Sequence, residues 1–451
     1  MPSFPVSLGL GCLLLCSCAL TGCDTSTLPD GALGFVTSPD EDPWSGAPAV
    51  AHVQVELVQG TTRSTLADVA APPGSVSLGN GGPSDVVAHF EATGLTSAGD
   101  PVVFGSSIPF YVQGFAGAYV PVFVARKGGF ASAPTALLAP HVRPLSALAS
   151  QAYLLVVGSA DAAIDVYDSG TWAAPTNEVP LPQTVKSMAI SGVALLMIND
   201  DKATWIDLTS SATVTAAPPA GLTFADVVGG QTLVASDGTI YIVGGTRTEG
   251  DPTNKVLQID TSGNLHTLLL NTARLGAAAA LVEDALLVAG GSADGTGAEL
   301  LAVSATSFSE LALPADDTTG AALVELTSAS ALLAGGHDAS GAPAATRTID
   351  LGCAKKCSTT ELPKTSLSIA RASAFRIDEN IALVVGETDD EETHAYLFDA
   401  SGDEATLMEQ ALRTPRSQAS ATQLPNGQVA ILGGTALDTG NPALSLDVFF
   451  P

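Results

Sequence analysis

The amino-acid sequence predicts an all-β protein, a seven-bladed β-propeller preceded by a small β-sandwich-like domain. Three observations carry the expectation. An apolar strand running into a glycine turn returns seven times, at 153–159, 194–200, 240–246, 285–292, 331–337, 381–388 and 429–435. Aligned on Gly158, Asn199, Gly244, Gly290, Gly335, Gly386 and Gly433, the copies are spaced by 41, 45, 46, 45, 51 and 47 residues. A near-constant period of this size with strand character marks stacked blades around an axis, because no single unit can bury its own apolar face. The second observation is a tight-turn signal just before the repeated strand, such as Asp237-Gly238 or Asn426-Gly427, which predicts a hairpin. The third is an apolar residue followed by Asp near the end of the next strand: Tyr167-Asp168, Ile206-Asp207, Ile259-Asp260, Ile349-Asp350 and Phe398-Asp399.

Length and charge bound the rest. At 451 residues the chain exceeds one ordinary core. Its 17 basic and 46 acidic side chains give a net charge of −29. That argues against nucleic acid, whose phosphates need basic surface, and against adsorption to anionic lipid headgroups.

The segment 1–22 carries no charged side chain, and 8–20 is an apolar run interrupted only by small residues. About 13 residues are too few to span a bilayer as a helix, and fit the core of a secretory signal. The run ends in Leu20-Thr21-Gly22-Cys23. This resembles the lipobox of bacterial lipoproteins, although no Lys or Arg precedes the apolar run. The resemblance implies that Cys23 carries the lipid, holding the chain at a membrane with about 0.8 kcal/mol per buried methylene. Cys12, Cys16 and Cys18 leave with the signal, so Cys353 and Cys357 are the remaining pair. In an exported chain they are expected to form a disulfide closing a very short loop. Neither a second Cys/His pair for zinc nor the two-residue spacing of a redox pair accompanies them.

Residues 23–48, rich in Pro, Gly and acids, are expected to form a lipid-anchored flexible tether of about 25–30 Å coil dimension. Residues 49–120 show alternating runs such as Val53-Gln54-Val55-Glu56-Leu57, separated by Gly-rich turns, as in a small sandwich.

The propeller is expected over 121–451, with four strands per repeat. Thr171-Trp172-Ala173 and Phe308-Ser309-Glu310-Leu311 are read as fourth strands. The chain stops after the third strand of the last repeat, so a strand from about 121–131 is expected to close the seventh blade and remove an open sheet edge. Six blades is the alternative, if the second repeat is not one. The pattern resembles the kelch repeat: intact Gly-Gly at 244–245, 290–291, 335–336 and 433–434, a hydrophobic residue with Asp in the next strand, and an aromatic near the fourth. The kelch arginine before the first strand is matched by Arg143, Arg274, Arg371 and Arg416.

Kelch propellers include copper oxidases and sialic-acid epimerases. The six histidines here show no His-x-His spacing, and only His337 and His394 fall in comparable loops. Isolated imidazoles do not make a copper site, and no hydrolase elbow, phosphate loop or zinc-protease motif is present. No catalytic residue, metal or cofactor is therefore expected. The loops joining second and third strands all leave one face of a propeller. They carry Asp161, Asp200, Asp201, Asp251, Asp294, Asp338, Asp389, Asp390, Glu391 and Asp438, an acidic rim that would attract a basic partner or a divalent cation. Asp389-Asp390-Glu391-Glu392 supplies oxygen ligands for calcium, without the spaced pattern of a known calcium loop. Scarce loop aromatics favour protein over carbohydrate as partner. The sequence thus reads as a monomeric lipoprotein of the cell envelope, expected at the outer membrane, with a non-catalytic binding scaffold. An assembly factor of the outer membrane, or an oxidase- or carbohydrate-type propeller enzyme, are the other readings.

Overall fold

The computed structural model describes residues 31–451 apart from 80–85, 112–117, 150–151, 159–162, 174–177, 182, 248–249, 352–357, 363–366 and 403. The signal segment, Cys23, Asp161, Cys353 and Cys357 lie outside the described residues.

The N-terminal domain is built on one sheet rather than a two-sheet sandwich. Its strands are β1 (Gly31–Thr37), β2 (His52–Gln59), β3 (Thr62–Ala70), β4 (Val76–Gly79), β5 (Val87–Leu95), β6 (Pro101–Ser106), β7 (Phe110–Tyr111) and β8 (Tyr119–Arg126), in the order β3-β2-β5-β6-β8-β1-β4 with β7 on β5. The edge strands β3 and β4 meet, so the sheet curls into a nearly closed barrel. One face, with Leu33, Val53, Val55, Phe90, Val122 and Val124, forms its core.

Two boundaries differ from the sequence reading. The segment 23–48 contains β1, which runs parallel to β8 with Leu33 opposite Val120 and Phe35 opposite Val122. Its Leu33 is fully buried, so glycines read as spacer signals are strand residues here. The small domain also keeps Val122–Arg126, expected to close the propeller. Only Gly129–Ser132 pairs with the last strand, Asp447–Phe450. Both faces of β8 are committed: Val122 and Val124 point into the small domain, and Phe123 and Ala125 into a second core.

The rest of the chain forms seven four-stranded sheets, the seventh assembled from both ends of the propeller segment. The second repeat is a complete blade, which removes the six-blade alternative. Seven apolar clusters fill the spaces between neighbouring blades, including the one between blades seven and one, so the ring is closed. The repeated strands are buried on both faces, as Leu286, Leu287 and Val288 show, which explains their unbroken apolar runs.

The recurring residue pairs now have causes. Both glycines of Gly290-Gly291 and of Gly433-Gly434 have left-handed φ. A Cβ on Gly290 would lie 2.6 Å from the Thr318 carbonyl of the next blade, and one on Gly291 2.8 Å from the Leu275 carbonyl of its own. The first glycine thus permits blade-to-blade contact and the second contact within the blade. The aspartates ending third strands cap the following turn. Asp207 Oδ1 accepts from the amides of Thr209 and Ser210 at 2.8 and 3.0 Å, and Asp260 Oδ1 from those of Ser262 and Asn264, both at 2.9 Å.

These caps set an acid limb of stability. Hydrogen bonds from Thr209 and Ser401 hold the Asp207 and Asp399 carboxyls below their ordinary range. Burial alone would raise Asp260, but Asn264, His266 and the turn amides outweigh it and pull it down to about 2. A carboxyl depressed in the folded state stabilises fully above its unfolded value of about 3.9 and loses that contribution as pH falls through the folded value. Stability is therefore expected to decline between about pH 4 and pH 2. Urea midpoints across this range should fall less steeply in Asp260→Asn than in the parent chain.

Thr171–Ala173 is not the fourth strand of blade one, which is Glu178–Pro180. Trp172 lies in the preceding turn with φ 58°, buried edge-on to Phe123 at 4.9 Å, while Phe450 meets Phe123 from another side at 5.0 Å. This aromatic cluster joins the small domain to blades seven and one. Phe123→Ala is expected to destabilise by about 3–5 kcal/mol; denaturant unfolding followed by tryptophan fluorescence would register it.

Candidate functional site

Each blade presents two faces. Turns between first and second strands leave on the hairpin face, and loops between second and third strands leave on the loop face. The small domain packs on the hairpin side: Asn426, in the first hairpin of blade seven, donates to the Ser106 carbonyl at 3.0 Å, and Ile108 lies against Gly170 in blade one. The opposite, loop face surrounds the mouth of the axial channel. The channel is a cavity of about 690 Å³ lined by inner strands of all seven blades.

The segment leading into each inner strand positions the mouth, and it follows one plan. Its first key residue, buried in every blade but the second, where Gln183 is half-buried, reaches the third-strand residue that pairs two positions before the repeated glycine or, in blade two, Asn199. In blade four, Arg274 Nη2 donates to Glu299 at 3.0 Å, and both side chains are fully buried. Arg274 also donates to the carbonyls of Gly290 and Thr296 at 2.6 and 2.9 Å, while Glu299 accepts from the Asn271 amide at 2.6 Å. Arg416 and Asp447 repeat the pair in blade seven at 2.8 Å. In blade one His141 meets Asp165 at 3.3 Å. Burial opposes ionisation of Asp165, but His141 and the Ala139 and Leu138 amides outweigh it and lower its carboxyl. Blade two uses Thr204, donating to Gln183 at 2.7 Å, and blade five uses Arg347, donating to Thr318 at 2.9 Å. In blades three and six the pairs are apolar, Val227 with Leu257 and Ile369 with Tyr396.

Two residues further on, six blades place a left-handed residue: Arg143 (φ 44°), Gly229 (77°), Gly276 (66°), Gly320 (73°), Arg371 (48°) and Gln418 (55°). These residues carry hydrogen bonds between blades around the mouth. Gly276 N donates to Arg247 O at 2.5 Å, Gly320 N to Gly276 O at 2.7 Å, and Arg143 N to Gln418 O at 2.8 Å. The four arginines aligned in the sequence therefore do two jobs. Arg274 and Arg416 are buried braces, whereas Arg143 and Arg371 sit two positions later, at the mouth.

Arg143 is held in place there. Its Nε and Nη2 donate to Glu387 at 3.1 and 3.0 Å, and Nη2 donates to Glu391 at 2.8 Å. The bond with Glu387 raises its guanidinium above the ordinary value, and Arg143 in turn lowers Glu391. Across the mouth, between blades three and six, lies a depression of about 510 Å³. Its charged lining residues among those described are Arg247 and Arg371; Gln231 is beside them, and Gly229, Gly230, Ala277, Gly320 and Ala321 supply the small residues. Arg247 Nη1 donates to the Ala225 carbonyl at 2.8 Å, which fixes the side chain.

The acids expected on the loop face are spread around this mouth and several serve their own loops. Asp200 pairs with Lys186 at 2.5 Å. Asp338 Oδ1 accepts from the Ser340 and Ala342 amides at 2.8 and 3.0 Å. Glu391 is tied to Arg143 and Gln418. Asp201, Asp251, Asp294, Asp389, Asp390 and Asp438 are exposed. Among the described residues no three His, Cys, Asp or Glu side chains are grouped as metal ligands. His394 turns to Glu409, with Nδ1 2.7 Å from its carboxylate. The sequence reading missed the mouth arginines Arg247 and Arg371 as a pair, and the buried polar braces. A charged residue inside an apolar third strand, as at Asp165, Glu299 and Asp447, was the available signal.

No family model matches the chain, and no curated protein matches it. Among solved structures, one described as the streptogramin B lyase structure aligns with TM-score 0.43 and 13% identity, covering 71% of this chain and 96% of that one. The structure of YjhT aligns with TM-score 0.40 and 14% identity, covering 60% and 99%.

Proposed function

We propose that the chain is a lipid-anchored protein of the cell envelope whose kelch-like propeller is a non-catalytic binding scaffold, with the loop face as its binding surface. One observation carries this reading: the small domain is packed on the hairpin side of blades seven and one, which leaves the channel mouth uncovered. The anchor at Cys23 would precede the small domain, so the membrane would lie on that side and the loop face would be presented outward. Outer acids such as Asp201, Asp251 and Asp438 supply long-range attraction for a basic protein surface, which weakens as salt rises. A closed ring with interlocked lead-ins presents its loops with little conformational freedom, which limits the ordering entropy of binding. Mass spectrometry of the mature N-terminus tests the anchor; an unmodified or internally cleaved terminus removes it. Affinity capture from solubilised envelope tests the scaffold. A saturable partner lost in Asp251→Lys/Asp438→Lys supports it. Stoichiometric capture of an outer-membrane complex would instead favour the assembly role.

A further inference from the structure

We propose that an apolar patch on the loop face at the junction of blades seven and one, formed by Leu138, Val142, Leu437 and Leu444, is the docking surface for a cationic amphipathic segment of a protein partner, with aliphatic side chains along one side and Lys or Arg at its margins. The inference rests on the reading of the loop face as the binding face, and adds where on that face the partner sits and the chemistry that holds it.

Three observations converge. The first is exposure. The four side chains are 45, 46, 43 and 37% exposed, and among the described residues no other large apolar side chain is as open on the loop face. The rest of this kind lie on the small domain, on outer strands, as Val214 and Leu269 do, or towards the hairpin face, as Val193 and Val303 do. Single exposed aliphatics are ordinary, whereas several gathered inside a polar rim mark an interaction surface.

The second is how the backbone gathers them. Leu138 and Val142 belong to the lead-in of blade one, Leu437 and Leu444 to the loop of blade seven. The two segments are stitched together by Leu137 N donating to Leu444 O at 2.9 Å and Gly434 N to His141 O at 2.7 Å, while Leu437 N donates to Pro415 O at 2.9 Å. The patch is therefore preorganised, which limits the entropy lost on binding. The inward neighbours carry the packing: Leu137 is buried in the aromatic cluster, and His141 meets Asp165. The blade plan makes no demand for an apolar residue beside them. The position after the brace residue is also exposed in blade two, and there it is Thr184.

The third is charge. Residues 131–142 contain no Asp, Glu, Lys or Arg, and 433–446 contain Asp438 alone. On one side the patch adjoins the loop of blade six, with Asp389, Asp390 and Glu391 exposed: Glu391 O accepts the Gln418 amide at 3.1 Å, and Gln418 O accepts that of Arg143 at 2.8 Å. The neighbouring cation, Arg143, has its charge answered by Glu387 and Glu391. An uncharged apolar centre with acids at its margin complements an aliphatic stripe flanked by cations. A second copy would set the same acids against each other on chains of −29, and anionic lipid would meet the same repulsion.

The test is fluorescence anisotropy of a labelled short Leu/Lys peptide with an amphipathic pattern, titrated with the full chain. A peptide of the same composition in scrambled order has the charge without the apolar face. Saturable binding of the amphipathic peptide is expected, weakened by salt, and weakened at least about tenfold in Leu138→Ser/Val142→Ser and in Leu437→Ser/Leu444→Ser. Val214→Ser, on an outer strand, should bind as the parent does. Circular dichroism confirms that each variant is folded. Absence of saturable binding, equal binding of the scrambled peptide, or unchanged affinity in both patch variants overturns the proposal. So does a dimer in sedimentation, or flotation with phosphatidylcholine vesicles, that is lost in Leu138→Ser/Val142→Ser, since the patch would then belong to a second copy or to a lipid surface. Envelope capture separates this from the scaffold reading: a partner lost in Asp251→Lys/Asp438→Lys but kept by Leu138→Ser/Val142→Ser leaves the scaffold standing and removes the apolar docking surface.

Discussion

Arg274→Leu is expected to destabilise the propeller by about 3–5 kcal/mol, because it strands Glu299 as a buried unpaired charge. The guanidinium serves three groups at once: the Glu299 carboxylate, and the carbonyls of Gly290 and Thr296 that close the loop between the second and third strands. Leucine satisfies none of them. The ion pair itself is a weak source of net stability, since desolvating two charges offsets most of their attraction. The informative comparison is therefore the double variant Arg274→Leu/Glu299→Leu, which should recover much of the loss and give a large coupling energy in a double-mutant cycle. Recovery will be incomplete, because the Asn271 amide that now donates to Glu299 would lose its acceptor. Arg371→Leu supplies the contrast. Arg371 is exposed at the mouth, so its change is expected to stay within about 0.5 kcal/mol. Urea unfolding of the three variants decides the matter. Similar losses in Arg274→Leu and Arg371→Leu would mean that the two arginines hold equivalent positions, contrary to the two-residue offset described above.

That offset shows where the sequence was legible. The blade count could be read, because an apolar strand buried on both faces and ending at a tight turn recurs in every blade, and in blades four, five and seven that turn is a pair of left-handed glycines for which no other residue substitutes. The aspartate caps could be read for a similar reason: a tight turn needs an acceptor at one fixed place, as at Asp260. The brace was only partly readable. Its requirement is a matched pair across about 25 residues, and the pair can be Arg–Glu, Arg–Asp, His–Asp, Gln–Thr, Thr–Arg or wholly apolar, so no single residue type marks it. Arg143 and Arg371 imitate the brace in sequence because they lie close to inner strands, yet the positive φ at each turns it outward. The Val122–Arg126 strand was misplaced because an apolar run on both parities fits a blade strand and equally a strand shared by two cores. The paired arginines of the mouth come from blades three and six, and only the closed ring brings Arg247 and Arg371 to one depression.

Gly433→Val should be the most damaging single change at the ring closure, lowering stability by about 3 kcal/mol or more. Two effects combine. Gly433 has φ 68°, a conformation that a β-branched residue adopts only with strain. Its Cβ would also lie 2.5 Å from the His141 carbonyl and 2.8 Å from the Pro144 ring. Both neighbours belong to the lead-in of blade one, and that carbonyl accepts the Gly434 amide at 2.7 Å. Neither can retreat without breaking this inter-blade bond. Two companion variants separate the terms. Gly440→Val, at φ 65° with nothing within 4 Å of the added Cβ, carries the backbone strain alone. Gly402→Val has open space and no left-handed φ, and should be nearly silent. Thermal unfolding is expected to rank Gly402→Val, Gly440→Val and Gly433→Val in order of falling midpoint. If Gly433→Val melts with Gly440→Val, blade seven does not meet blade one through this glycine. Closure would then rest on the apolar cluster around Phe450 and Phe123 and on the bond from the Arg143 amide to the Gln418 carbonyl.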